Sequence, residues 1–290
     1  MTGPVPRPVW ELGALLGEGP VWLEAEQALR FVDIHGGRLH RFDPVSGTGN
    51  TVQTAGKPSF IVPADGGGML VGDGAQVRRF DGDALGAAVA QVAESPRNRI
   101  NDATVDPAGR LWFGTLDEDE ESPTGALYCL DRGVLRPTGR LAVITNGPAV
   151  SSDGRLLYFV DTLERTIWRI PLNEDGTLAA AGEVFLRLEE HEGFTDGVVL
   201  DSEDCLWVGL WEGWGVRRYA PDRTLLAHVA LPCARATKVA FGGPGLTTAF
   251  VTTARTGLDA PALARQPLAG SLFAFDAPAP GRPVPAVRLA

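Results

Sequence analysis

Apolar positions along this chain come in short runs, not in long helical stripes. Leu29-Arg-Phe-Val-Asp-Ile, Leu111-Trp-Phe-Gly-Thr, Leu156-Leu-Tyr-Phe-Val-Asp and Leu206-Trp-Val-Gly-Leu are each set between Asp, Gly or Pro residues. Runs of this length, rich in Val, Leu, Phe and Trp and punctuated by turn residues, predict β-strands. Convincing amphipathic helices are scarce, and 183–190 (Glu-Val-Phe-Leu-Arg-Leu-Glu-Glu) reads as well as a strand as it does as a helix.

The runs recur in a frame. A polar residue opens each unit, and an apolar strand, an Asp-x-x-Gly-like turn, a Leu-Trp/Tyr-Phe/Val strand and a strand starting at Gly follow. Clear copies open at Glu18, Asn101, Asn146 and Asp196, and weaker ones near Ser59 and Thr237. A repeat of about 40–50 residues is the period of a propeller blade, and each copy holds enough strand for one blade of three or four antiparallel strands. The expectation is an all-β fold, a six-bladed β-propeller in one domain over residues 1–290. Residues before Glu18 and after Phe273 would lend a strand to close the ring. A β-sandwich would give no reason for six similar units.

In a propeller the inner strand of every blade runs beside the central channel, so equivalent positions converge on the axis. The opening residues Glu18, Ser59, Asn101, Asn146, Asp196 and Thr237 are all polar. Singly, each reads as turn chemistry, Asn146-Gly and Asp196-Gly above all. Together, two carboxylates and two amides in one frame form a ring of hard oxygen donors. Two such carboxylates without a cation would repel and be costly to desolvate. The donor set suits Ca²⁺, Mg²⁺ or Mn²⁺, with Zn²⁺ or Fe²⁺ also open. An axial site for one divalent metal ion is therefore expected, with Ca²⁺ as the first choice.

Charge and composition narrow the partners. A net charge of −10, from 26 basic and 36 acidic residues, argues against nucleic acid. Three cysteines at wide spacing (Cys129, Cys205, Cys233) outline neither a disulfide framework nor a thiolate zinc site. Met1 to Trp10 does not read as a signal peptide, and no run approaches the ~20 apolar residues of a membrane helix. The expected protein is cytoplasmic, off the membrane and monomeric. A serine hydrolase is disfavoured: Gly-x-Ser-x-Gly is absent and His35, His40, His191 and His228 are scattered. His40 reads as structural, Trp207 as blade core, and Trp211 and Trp214 as candidates for a substrate rim.

Several segments resemble the gluconolactonase/regucalcin family of sugar lactonases, which includes bacterial xylonolactonases and arabinolactonases. They are Leu16-Gly-Glu-Gly-Pro-Val-Trp, Arg99-Ile-Asn-Asp, Gly109-Arg-Leu-Trp-Phe-Gly-Thr, Thr145-Asn-Gly-Pro, Thr195-Asp-Gly, Phe241-Gly-Gly and Thr252-Thr-Ala-Arg. The resemblance spans essentially the whole chain and implies a six-bladed propeller with one axial divalent metal, acting on a small sugar lactone. By resemblance, Glu18, Asn146 and Asp196 match the metal ligands, and Arg99 and Asn101 match residues that contact substrate. An acidic substrate contact falls within 117–121; gapless counting from Asn101 favours Asp119, with Glu118 and Glu120 as alternatives. Asp196 is the candidate general base, a ligand-only role being the alternative. Thr195 departs from the proline of many relatives and is expected to loosen the loop carrying Asp196. Two other readings stand beside this one, an organophosphatase or aryl-esterase of the related six-bladed calcium hydrolases and a non-catalytic interaction propeller.

Overall fold

The computed structural model describes residues 4–290, and the chain in it is built from six four-stranded antiparallel sheets. Their inner strands are Gly17–Leu23, Pro58–Pro63, Asn98–Val105, Thr145–Val150, Phe194–Leu200 and Ala236–Gly242. Successive inner strands pack against one another around an axis, and the sixth returns to the first. These sheets are the blades of a six-bladed β-propeller. The segment 183–190 resolves as a strand, Glu183–Arg187, on the outer edge of the fourth blade.

Burial explains why the inner strands lack the simple alternation of a half-exposed sheet. Gly17–Leu23 and Ala236–Gly242 are buried at every position, whereas the outer strand Thr48–Gln53 is exposed at nearly every one. An inner strand has the axis on one edge and neighbouring blades on both faces, so only backbone-compatible polar groups with a partner persist there. Between blades the core is aromatic: Trp112, Trp207, Phe113, Phe159 and Phe250 are among its largest fully buried side chains.

Ring closure uses the N-terminus. Arg7–Trp10 pairs with Leu272–Asp276 and completes the sixth sheet, whose other strands come from the C-terminal part of the chain. Trp10 then stacks on Phe42 and meets His40 edge-on in the first blade. The expectation of a strand lent from beyond Phe273 holds only as far as Asp276. The rest of the tail spans the ring instead, bonding through Gly281 to Leu246, through Val287 to Pro63 and through Arg288 to Gly109.

Every inner strand carries an irregularity in register at its opening polar residue. The shifts fall between Glu18 and Val21, Pro58 and Phe60, Ile100 and Ala103, Asn146 and Ala149, Thr195 and Val198, and Ala236 and Val239. A bulge re-aims side chains and bends the strand, and repetition around the ring turns a set of polar residues toward one end of the axis. Gly19 and Gly147 hold φ values of +54° and +68° within these bulges, a conformation that glycine adopts without strain. The Asn146-Gly and Asp196-Gly pairs are thus parts of inner strands, not of surface turns.

Candidate functional site

The bulges deliver Glu18, Asn101, Asn146 and Asp196 to the floor of one cleft of about 330 Å³, and Arg99 joins them. All five are buried, with 5–7 % of their surface exposed. Asn101 donates to the Asn146 side-chain oxygen (2.9 Å) and to the Thr145 carbonyl (2.8 Å). Arg99 donates to the Asn101 side-chain oxygen (2.8 Å), and Asn146 donates its amide to Thr162 Oγ1 (3.0 Å). The chain of bonds fixes both amides, so the Asn146 oxygen keeps a free lone pair.

The two carboxylates have no such partners. Glu18 accepts one bond, from the Gly19 N–H at 2.9 Å. Burial, then the field of Asp102, pushes Glu18 up to about 8, against the opposing pull of Gly19, Lys238 and Arg99. Asp196 is held well above the usual carboxylate range by burial and then by the fields of Glu18 and Asp102. Two buried acids, each raised by burial and by the field of Asp102, next to a fixed amide oxygen, fit a divalent cation, because a cation removes the penalty on both.

Two of the six ring positions do other work. Thr237 donates to the Gly17 carbonyl (2.6 Å), tying the last blade to the first, and Ser59 Oγ bonds within its own sheet to Gly72. At the sixth blade the axis is reached by Lys238, whose ammonium bonds Asp102 Oδ1 at 2.6 Å and the Ala103 carbonyl at 3.1 Å. Sequence reasoning passed over both residues of this pair. The available signal was a lysine within the apolar strand Ala236-Thr-Lys-Val-Ala-Phe-Gly, which has to be paired if buried.

In the acidic loop, the structure sets Asp119 aside. Its carboxylate faces Arg97 at 3.3 Å on the outside and does not line the cleft, whereas Glu118 and Glu120 do. Asp117, wholly buried, accepts the backbone N–H groups of Glu121 and Ser122, and this turn presents its neighbours alternately inward and outward. The residue favoured by gapless counting is therefore not among those that line the cleft, whereas both of its alternatives are. Glu118 sits 3.4 Å from Arg99 Nε and 2.5 Å from Lys57 Nζ.

The aromatic expectations divide. Trp211 lines the cleft together with Phe194, Ile144 and Leu163, giving it one apolar wall. Trp214 is exposed on a turn away from it, and Trp207 is core, its indole N–H donating to Asp201. His40 is structural: Thr51 bonds its ring, Phe31 stacks on it, and burial lowers it to about 4. His35 does line the cleft, bonded to Thr256 at 3.1 Å. Thr195 is fully buried and paired with Leu210 in the sheet, so its departure from proline does not loosen the strand.

A second cluster of possible ligands, Asp201, Glu203 and Cys205, is a structural ion pair. Asp201 is saturated by the N–H groups of Trp207, Glu203 and Cys205 and by Arg218 at 2.7 Å, and Arg218 also holds Glu203. The third blade repeats the device with Asp106, Arg110 and Trp112.

A six-bladed propeller with buried carboxylates and amides at the axial end of one cleft defines a class of propeller with a small-molecule site on its axis. Within that class, residues 16–255 match the family model described as the SMP-30/gluconolactonase/LRE-like region, and the chain belongs to this family. It is 38% identical over 275 residues to the pentonolactonase XacC of Haloferax volcanii, covering 92% of this chain and 93% of the relative. It is 34% identical to a 6-deoxy-6-sulfogluconolactonase of Pseudomonas putida, again over 92% and 93% of the two chains. The crystal structure of a calcium-binding regucalcin from Agrobacterium tumefaciens superposes with a TM-score of 0.93 at 29% identity, covering 99% of this chain and 98% of the other.

Proposed function

We propose that the chain hydrolyses a sugar lactone to the aldonic acid, with one divalent ion held by Glu18, Asn146 and Asp196. The observation that carries this reading is the pair of buried carboxylates, both raised by burial, beside a fixed amide oxygen at the floor of a cleft of substrate size. A divalent ion bound there would supply Lewis-acid polarisation of the lactone carbonyl. Ca²⁺ is the first candidate, supported by the calcium-binding regucalcin that shares the fold, with Zn²⁺, Mn²⁺, Mg²⁺ and Fe²⁺ behind it.

The chain's own groups supply the rest. Asp196 orients and deprotonates the attacking water, the role that a carboxylate in hydrogen-bond reach of the carbonyl carbon would take. Water oxygen bonds to the carbonyl carbon, the ring C–O bond breaks, and the departing alkoxide takes up the proton that Asp196 removed from the water. Arg99 offers a charged donor fork, held in place by Asn101 and the Ile100 carbonyl. Glu118 and Glu120 accept from sugar hydroxyls, in place of Asp119. Similarity to a pentonolactonase favours a pentonolactone as the physiological substrate. We place the reaction in the cytoplasm, with a monomer as the active form.

A non-catalytic scaffold would have no use for buried, uncompensated acids on its axis. Metal analysis of the purified protein, paired with a pH-drop assay on pentono- and hexonolactones, tests the proposal. Turnover that disappears with a chelator and returns with one divalent ion is expected. Protein that carries the metal yet leaves every lactone untouched would refute it.

A further inference from the structure

The cleft has two unlike walls. Ile144, Leu163, Phe194 and Trp211 form one, and the acidic loop with His35, Arg99 and its cross-strand partner Leu116 forms the other. A census of charge on the polar side is uneven. Lys57 and Arg99 both contact Glu118, and Arg97 lies 3.8 Å from Asp117 and 3.3 Å from Asp119. Among the described residues, Glu120 lines the cleft with no cation within ion-pair distance of its carboxylate. The cations of the opposite side, Arg165 and Arg235, stack on the Phe194 and Trp211 rings and do not line the cleft.

We infer that the cleft selects uncharged lactones and rejects those bearing a fixed anionic group, with Glu120 as the residue that sets this preference. The inference rests on the lactonase reading of the same site. A neutral polyhydroxylated ring fits both walls: its hydroxyls donate to Glu118 and Glu120, and its C–H face lies on Trp211 and Phe194. Among the described residues Arg99 is the cation that lines the cleft, and it is already bonded to Asn101 and 3.4 Å from Glu118, so a phosphate or sulfonate on the distal carbon meets no unpaired cation there. It would face the surplus carboxylate of Glu120 at the exposed mouth of the cleft, where like charges repel in a salt-dependent way and set the preference.

The test compares kcat/KM for a neutral hexono-1,5-lactone and for its 6-phosphate, in the metal-loaded enzyme. The neutral lactone should be favoured by on the order of 10- to 100-fold at low ionic strength, and added salt should shrink the ratio. Glu120→Lys should narrow the preference by about 10-fold and Glu120→Gln by less, with kcat/KM rising on the phosphorylated lactone itself. A ratio narrowed only by a loss on the neutral lactone, whose hydroxyls donate to Glu120, would overturn the inference. Equal turnover of the two lactones by the native enzyme, or a ratio unmoved in both variants, overturns the inference. Failure to hydrolyse either lactone overturns the lactonase reading beneath it.

Discussion

Lys238 reaches across the axis from the sixth blade to place its ammonium 2.6 Å from Asp102 Oδ1 of the third, and both residues are buried. The lysine stem packs on Gly197, where a Cβ would come within 2.8 Å of it, so the residue after Asp196 is kept small by this pair. Lys238 offsets Asp102, so the two acids that line the cleft floor, Glu18 and Asp196, have only the field of Arg99 and the far side of Lys238 against them. A divalent ion held there would offset that pair.

Removing one member of a buried pair leaves an uncompensated charge, and the loss is about 3–5 kcal/mol. Lys238→Met should therefore destabilise the protein by about that amount, and Lys238→Met with Asp102→Asn should recover most of it. Denaturant unfolding of the four members of this cycle is the measurement. Additive losses in the double variant would show that the two residues do not act as a pair.

Glu18→Gln and Asp196→Asn each take a negative charge from the cation site and should lose both bound metal and lactone turnover. In chelator the same variants should be more stable than the native chain, because a buried acid that repels its neighbour has gone. Metal content by elemental analysis and thermal unfolding in chelator give the two readouts. Native metal occupancy and full turnover in both variants would show that the ion binds elsewhere.

The pH dependence has a definite sign. In the metal-free fold Glu18 titrates at about 8, against 4.5 for an ordinary glutamate. Between those values Glu18 holds more proton in the folded state than in the unfolded one, so its contribution to metal-free stability is fully present below about pH 4.5 and is lost as pH rises toward 8. Metal binding needs the ionised acids and should release protons, so stabilisation by added Ca²⁺ should grow over the same interval. Unfolding temperatures with chelator and with excess Ca²⁺, taken from pH 5 to 9, check this. A gain from Ca²⁺ that stays constant over the interval would contradict it.

Much of this was legible in the chain because a propeller writes its symmetry into sequence. Glu18, Asn101, Asn146 and Asp196 stand at equivalent places in four repeats, and the fold brings all four to one floor. Ser59 and Thr237 stand in the same frame but bond to backbone carbonyls, since a hydroxyl can be satisfied by its own or the adjoining sheet where a carboxylate cannot. The bulges were hidden, because a register shift is a relation between two strands and leaves no mark on one. For that reason Asp102 and Lys238, each one residue past a ring position, went unseen as axial groups. That Asp119 does not line the cleft was hidden for a related reason: the turn around Asp117 decides which of its neighbours faces inward, and counting along the chain carries no such information.

Arg99 and Asn101 separate binding from metal retention. Arg99 touches the metal-side residues only through Asn101, whereas Asn101 itself donates to the Asn146 oxygen at 2.9 Å. Arg99→Ala should leave the metal in place and lower kcat/KM for polyhydroxylated lactones. Loss of one charged hydrogen bond of ~1.5–3 kcal/mol corresponds to roughly 10- to 150-fold. A lactone without ring hydroxyls never made that bond, so its slower hydrolysis should change far less. Asn101→Ala removes the donor that holds Asn146 and should weaken metal binding as well, an effect that calorimetric titration with Ca²⁺ would register. Equal losses on both lactones in Arg99→Ala would assign the guanidinium to the developing oxyanion instead of the sugar. Unchanged kinetics on both would make it a structural brace for Asn101 and Glu118.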